Sequence, residues 1–433
     1  MSILGADAVD AAAPFGRLVV NAGDRVTPLA RDRAAELGVE IVEAAPSSPR
    51  VPGAPSAVPA APSAPRGSLP RVDLSARGAL PSPPVPALFR RGAPYPGLRG
   101  RSTPAAPSAG SRTPPAAGGG RVARVTVVGA GNVGTHAAMR LAETDLVNEV
   151  VLVDVVEGLA RGVALDLTHA AGLLGFASRI RGESSIAAAG RSDYTIITAG
   201  RPRQPGMSRT DLTATNAEIV GTLAEAVGRI SPDGVIVVVT NPLDEMTELA
   251  WRRSGLPETH VIGMAGLLDS ARFQALAALA SDGRADAVSG IALGSHGDEM
   301  VFPSSQARIG SDTASARLGD RFAATVDRAR NSGAEVVGLL GKGSAFITPG
   351  LAAARMVESM IRGDGALLSA TVRPHGEYGI DGVYVGLPVR LARAGLAEIV
   401  TLPLEAAETV ALREAAAKIR VRVSELPAAV MGG

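Results

Sequence analysis

Five histidines occur in the chain, His136, His169, His260, His296 and His375. Only His296 stands in a setting suited to a ligand. In Gly294-Ser295-His296-Gly297-Asp298-Glu299 its small neighbours open the backbone at a strand end and leave room beside the imidazole. A histidine there can accept or donate a proton near neutral pH. Upstream, Asp269 and Arg272 are three residues apart, which on a helix places a carboxylate and a guanidinium on one turn. One reading is a surface ion pair of little consequence. The other is that Asp269 orients His296 and raises its pKa, while Arg272 grips a substrate carboxylate through two parallel hydrogen bonds. Spacing alone leaves both open. A third group is Gly200-Arg201-Pro202-Arg203-Gln204-Pro205-Gly206-Met207-Ser208-Arg209, whose arginines lack acids nearby and point to an anionic ligand, the alternative being a solvated basic loop.

The elements that must carry these groups read as alternating buried strands and helices, the pattern of a parallel sheet covered on both faces. Strands are expected at 122–128, 150–153, 194–198, 235–239 and 261–264, with helices at 132–143, 211–230 and 267–280. The last should turn Leu268, Ala271, Ala275, Leu276 and Leu279 inward. The first strand runs into Gly129-Ala130-Gly131-Asn132-Val133-Gly134, a GxGxxG opening a helix, and the next strand ends at Asp154. Glycines permit the tight turn and close backbone approach, the helix N-terminus offers amides to a pyrophosphate, and the acid meets the ribose. GxGxxG alone is weak in a chain with 51 glycines; joined to strand, helix and acid, it is strong. A carboxylate there disfavours a 2′-phosphate, so NAD is expected rather than NADP.

Composition sets bounds. With no cysteine, disulfides, thiolate nucleophiles and Cys-held metals are excluded, no metal is expected, and a reducing cytosol fits. No apolar run reaches the ~20 residues of a membrane span, and Asp7 and Asp10 stand where an export signal would be positive. A cytoplasmic protein without membrane attachment is expected. Residues 46–115 hold nine arginines and one acid, Asp73, and the net charge of +1 therefore leaves the remainder near −7. Such an acidic body argues against nucleic-acid binding.

The chain divides into a small N-terminal segment, 1–45, a linker, 46–120, a dinucleotide-binding domain, 121–265, and a catalytic substrate-binding domain, 266–433. Eighteen of the 31 prolines fall within 46–115, among Ala and Ser, which reads as a disordered tether. Within it, Leu88 to Tyr95 is a candidate docking fleck. In the N-terminal segment, Arg17 to Val20 and Val39 to Val42 read as strands around a helix from Pro28 to Leu37. Thr27 is its N-cap, Gly38 its end, and Leu29, Ala34, Ala35 and Leu37 form a thin apolar face. A piece so short should dock on something.

Taken together, Gly129 to Gly134, Asp154, Pro202 to Leu212, Val239-Thr240-Asn241-Pro242, Leu268 to Arg272 and His296 to Val301 resemble the ordered motifs of the malate/lactate dehydrogenase family. The resemblance runs from Arg121 to the C-terminus and is strongest to the bacterial lactate-dehydrogenase-like malate enzymes. It implies a Rossmann-type doubly wound sheet followed by an α+β domain, a homodimer or homotetramer, and reversible NAD-dependent oxidation of malate to oxaloacetate. By that resemblance His296 passes the hydroxyl proton, Asp269 holds its tautomer, Arg272 anchors the carboxylate and Arg209 polarises the carbonyl. Asn241 bridges substrate and nicotinamide, with Asn216 near the cofactor and Val239 and Thr240 beside it. Arg203 falls where the family separates a four-carbon diacid from a monoacid. With pyruvate its charge would stay unmatched, at a cost on the order of several kcal/mol, so malate is expected over lactate. Ser295, where the family usually has Gly, and the N-terminal extension depart from the pattern. Residues 26–32 and 38–41 also resemble a segment of enzymes associated with bacterial microcompartments. Two rivals remain. A dehydrogenase-fold scaffold would have shed His296 or Arg272, and an NAD-dependent glycoside hydrolase generally uses a metal held by Cys and His.

Overall fold

The computed structural model describes residues 3–4, 9, 12–13, 16–20, 25–26, 28–43, 122–201, 209–297, 299–341, 343–427 and 430. The expected tether, its Leu88 to Tyr95 fleck, Thr27, Arg203 and Asp298 lie outside them. By contacts the chain forms two units, 1–106 and 107–433.

The first unit holds β1 (Ile3–Leu4), β2 (Arg17–Val20), β3 (Arg25–Val26), α1 (Pro28–Leu37) and β4 (Glu40–Glu43). β2 and β4 pair in parallel through α1, a small βαβ turn, and β1 pairs β3. Its core is Val9, Ala12, Ala30, Ala34 and Val39. The expected apolar face of α1 is thus corrected: Ala30 replaces Ala35, and Leu37 is exposed. The parallel strands set which side of α1 is covered.

The second unit continues with β5 (Val122–Val128), α2 (Asn132–Thr144), β6 (Val147–Val153), α3 (Leu159–Leu174), β7 (Arg179–Glu183), α4 (Ile186–Ala189), β8 (Tyr194–Ile197), α5 (Arg209–Ile230), β9 (Val235–Val238), α6 (Leu243–Ser254) and β10 (Val261–Gly263). There follow α7 (Gly266–Ala280), β11 (Val288–Ser289), β12 (Leu293–Gly294), β13 (Met300–Val301), β14 (Arg308–Ile309), β15 (Asp312–Thr313), α8 (Ala314–Leu318), α9 (Arg321–Leu340) and α10 (Ile347–Arg362). β16 (Leu367–Val372), β17 (Val385–Ala392), β18 (Gly395–Ile399) and α11 (Ala406–Ser424) complete it.

Six strands run parallel in the order β10-β9-β8-β5-β6-β7, the doubly wound order, with the switch point between β5 and β8. Antiparallel pairing of β10 with β16 continues the same sheet through β17, β12 and β13, with β18 on β17. β8 (YTII) and β9 (VIVV) are buried throughout, because helices cover both faces of a parallel sheet. The two-residue period sorts them: Val125, Val127, Leu152, Ile196 and Val237 join one core, while Val128, Val151, Val153, Ile197, Ile236 and Val238 join the other. A third core, with Phe273, Ala277, Ala278, Val288 and Leu318, lies around α7.

On α7 the expected inward face holds at Leu268, and Leu276 packs partly buried, but it fails at two positions. Ala275 is exposed, Leu279 is 75% exposed, and Phe273, Ala277 and Ala278 are buried instead. The cause is polar. Asp269 and Ser270 are buried on this helix, and Ser270 Oγ donates to Gly266 O (2.6 Å) and accepts from Ala292 N (2.9 Å). Counting apolar residues alone misses a buried face that includes an acid and a hydroxyl.

Candidate active site

Of the groups singled out in the sequence, the glycine loop, Asp154, Asn216, Asn241, Asp269, Arg272 and His296 lie among the described residues. At the end of β5, Gly129 has φ +103°, and a Cβ there would meet Thr198 Oγ1 at 2.5 Å and Ala199 N at 2.8 Å. A Cβ on Gly134 would fall 1.9 Å from Gly129 O, so only glycine lets α2 close on the strand. Gly131 differs: its Cβ direction is open, and it begins α2 without a side-chain cap. The first-turn amides of Asn132, Val133 and Gly134 thus form a cradle with a positive helix end, open where a pyrophosphate would approach. Asp154 follows β6. Its Oδ2 accepts from Ala130 N (2.8 Å) and its Oδ1 from Val156 N (2.9 Å), which fixes the carboxylate against the glycine loop.

The ends of β8 and β9 are joined by main-chain and side-chain hydrogen bonds. Val239 N donates to Ile197 O (2.9 Å), and Thr240 Oγ1 donates to Ala199 O (2.7 Å). Asn216, buried on α5, accepts from Arg201 N (2.8 Å) and donates to Arg201 O (3.2 Å) and Asn241 O (2.7 Å). Its amide is thereby committed to holding two backbone turns, of which one presents Asn241. The backbone of Arg209 opens α5.

The α7 and β12 ends bring the proton-handling groups together. Asp269, in the first turn of α7 and only 4% exposed, takes Nδ1–H of His296 on Oδ2 and Nη1 of Arg272 on Oδ1, each at 2.9 Å. Of the two readings left open for Asp269 and Arg272, the surface ion pair is therefore corrected. Their side chains are 5% and 14% exposed, and His296 shares the carboxylate. Burial works against the imidazolium, but the charge and hydrogen bond of Asp269, with Asp244 adding, outweigh it and hold His296 above the ordinary histidine range. His296 and Asn241 both line a cavity of about 220 Å³, together with Leu212, Glu245 and Arg422.

Sequence reasoning missed the groups behind His296. Asp244, fully buried at the start of α6, accepts from Ser295 Oγ (2.7 Å), Thr371 Oγ1 (3.1 Å) and His296 N (3.3 Å). Burial pushes its carboxyl up to about 6, against the pull of the Ser295 hydrogen bond. Arg422 of α11 donates to Ser295 Oγ (2.8 Å), Glu245 Oε1 (2.7 Å) and Glu299 Oε2 (3.2 Å). Acids in a first helical turn ordinarily complement the dipole, which masked Asp244, and nothing local marks Arg422, which lies far along the chain.

Comparison with known proteins gives a consistent picture. Residues 123–263 match the model of the lactate/malate dehydrogenase NAD binding domain, and residues 267–428 that of the lactate/malate dehydrogenase alpha/beta C-terminal domain. A malate dehydrogenase of Chloroherpeton thalassium is 42% identical over 298 residues, 69% of this chain and 96% of that protein. One of Trichormus variabilis is 43% identical over 307 residues, 70% of this chain and 94% of its own length. Among solved structures, malate dehydrogenase from Salinibacter ruber aligns with a TM-score of 0.66 at 37% identity, covering 70% of this chain and 96% of that one. A Cryptosporidium parvum lactate dehydrogenase, solved with lactic acid and nicotinamide adenine dinucleotide, gives 0.67 at 31% identity, covering 71% and 99%.

Proposed function

The chain belongs to the lactate/malate dehydrogenase family, and from that premise we propose that it is an NAD-dependent malate dehydrogenase whose proton carrier is His296. The observation that carries the proposal is the His296–Asp269–Arg272 cluster beside Asn241, set at the strand ends that also form the glycine cradle. NAD suits the residues present: an uncapped helix end, an open Gly131 and a carboxylate already fixed at the ribose position. Gly129 to Gly134 and Asp154 would hold it, with Val239, Thr240 and Asn241 toward the nicotinamide and Asn216 positioning that turn. When bound, NAD supplies the hydride acceptor in one direction and, as NADH, the donor in the other. In malate oxidation neutral His296 accepts the hydroxyl proton, and in oxaloacetate reduction the imidazolium returns it. Asp269 fixes which ring nitrogen is free and stabilises the imidazolium. Arg272 pairs the carboxylate next to the reacting carbon, Arg209 polarises the carbonyl, and Arg203 reads the distal carboxylate.

We divide the body into a cofactor half, 121–265, and a substrate half, 266–433. The protein is proposed to be a cytoplasmic homodimer or homotetramer. In support, Leu165 and Leu173 on α3 and Leu339 on α9 are exposed apolar side chains of the body. Residues 1–120 are proposed to dock the enzyme on a protein partner, the microcompartment-like segment being the support for a bacterial microcompartment. Removing 1–120 should leave turnover intact and abolish co-purification with that partner, and loss of folding would end the idea. The test of function is NADH oxidation with oxaloacetate and pyruvate side by side, repeated for Arg203→Gln. Preference for oxaloacetate, weakened by the substitution, is expected. Preference for pyruvate would overturn the substrate, and no turnover would favour a scaffold.

A further inference from the structure

Behind the imidazole lies a buried polar chain that the reaction scheme does not use. Arg422 on α11 donates to Ser295 Oγ, Ser295 Oγ donates to Asp244 Oδ2, and the same Oδ2 receives the peptide N–H of His296 at 3.3 Å. Thr371 from β16 supplies Oδ1 with its donor. Among the described residues the charges around the site are Asp269 and Arg272 from α7, Asp244 and Glu245 from α6, Glu299 from the β12–β13 turn, and Arg422 and Lys418 from α11. Arg422 is paired with Glu245 and Glu299 and stands 3.9 Å from Asp244.

We propose that Ser295 is a positioning residue of the reaction: it relays the Arg422 guanidinium to Asp244, fixing the His296 peptide and keeping an anion behind the imidazole. A single hydroxyl both donates to the acid and accepts from the cation, which neither glycine nor alanine can do. The sign follows from the chain. Without the hydroxyl, Asp244 loses the donor that favours its charged form and takes up a proton more readily. His296 then loses part of the negative charge that holds its own proton.

This rests on the dehydrogenase reading, so the primary test is independent of turnover. The full-length protein carrying 13C-labelled histidine is titrated by NMR, with His296→Asn assigning the resonance. The same is done for Ser295→Ala and Asp244→Asn. The His296 midpoint should move to lower pH in both, by about half a pH unit or more in Asp244→Asn and by less in Ser295→Ala. The alkaline limb of kcat/KM for oxaloacetate should follow. An unmoved midpoint in Ser295→Ala overturns the proposal, whatever happens to the rate, and that variant, which removes one oxygen, decides the matter even where Asp244→Asn fails to fold. A wild-type enzyme inert toward oxaloacetate would instead count against the dehydrogenase reading and leave the titration standing.

Discussion

Asp269→Asn separates charge from shape. The carboxylate serves two cations at once, His296 on one oxygen and Arg272 on the other, each at 2.9 Å and almost out of solvent. Two unit charges about 4 Å apart attract by about 4 kcal/mol at an effective dielectric of about 20. An asparagine oxygen can keep the Nδ1–H bond and with it the tautomer, but its amide NH2 then faces Arg272, so the charge and the Arg272 hydrogen bond are lost together. Allowing for that retained bond, about 2–3 kcal/mol of imidazolium stabilisation should vanish, a fall of about 30- to 150-fold in oxaloacetate turnover at neutral pH. The pH dependence has a definite sign. Asp269 raises the His296 pKa, and reduction needs the protonated ring, so the variant's alkaline limb must move to lower pH. Malate oxidation uses the neutral ring and should be relatively spared at high pH. Stopped-flow NADH absorbance from pH 5.5 to 9 in both directions measures this. A loss under about threefold with an unmoved limb would refute the assignment of Asp269 as the charge partner.

Other substitutions test the cofactor half. Gly134→Ala forces a Cβ to within 1.9 Å of Gly129 O, so NADH binding by fluorescence titration should be abolished and the melting temperature lowered. Asp154→Asn can accept on one side-chain oxygen only, where the carboxylate now serves Ala130 N and Val156 N. NADH affinity should drop about tenfold, with discrimination against NADPH narrowed. Asn216→Ala removes the side chain that holds the part-buried Arg201 and Asn241 backbone groups, and urea unfolding should show a loss of about 1–2 kcal/mol. An Asn216 variant that keeps stability but loses cofactor affinity would show that it acts at the ligand instead.

Five of the six parallel strands were legible because a buried parallel sheet writes itself as β-branched runs: Val122 to Val128 forms β5 with the expected bounds, and Tyr194 and Val235 open β8 and β9 where expected, whereas the polar β7 (Arg179–Glu183) and the start of β6 at Val147 were not. The glycine loop was legible because each required glycine has a local steric cause. The α7 face was misjudged, since its burial is decided by Asp269 and Ser270, whose partners lie elsewhere in the fold. Of the Arg422–Ser295–Asp244 chain the sequence marked only Ser295, as a departure from the family's usual Gly, and nothing linked it to the other two. These hydrogen bonds join α11, the turn after β12 and α6, positions that only tertiary folding brings together.

The sheet also has a mechanical consequence. β10 and β16 exchange main-chain hydrogen bonds across the join at Gly263 and Thr371, and one apolar core takes Val125 and Val127 from one half with Val357 and Val385 from the other. A jaw-like rotation of the halves would tear that ladder and open that core to water. The spacing between β10 and β16 should therefore stay constant through the catalytic cycle, and the floor of the site stays rigid.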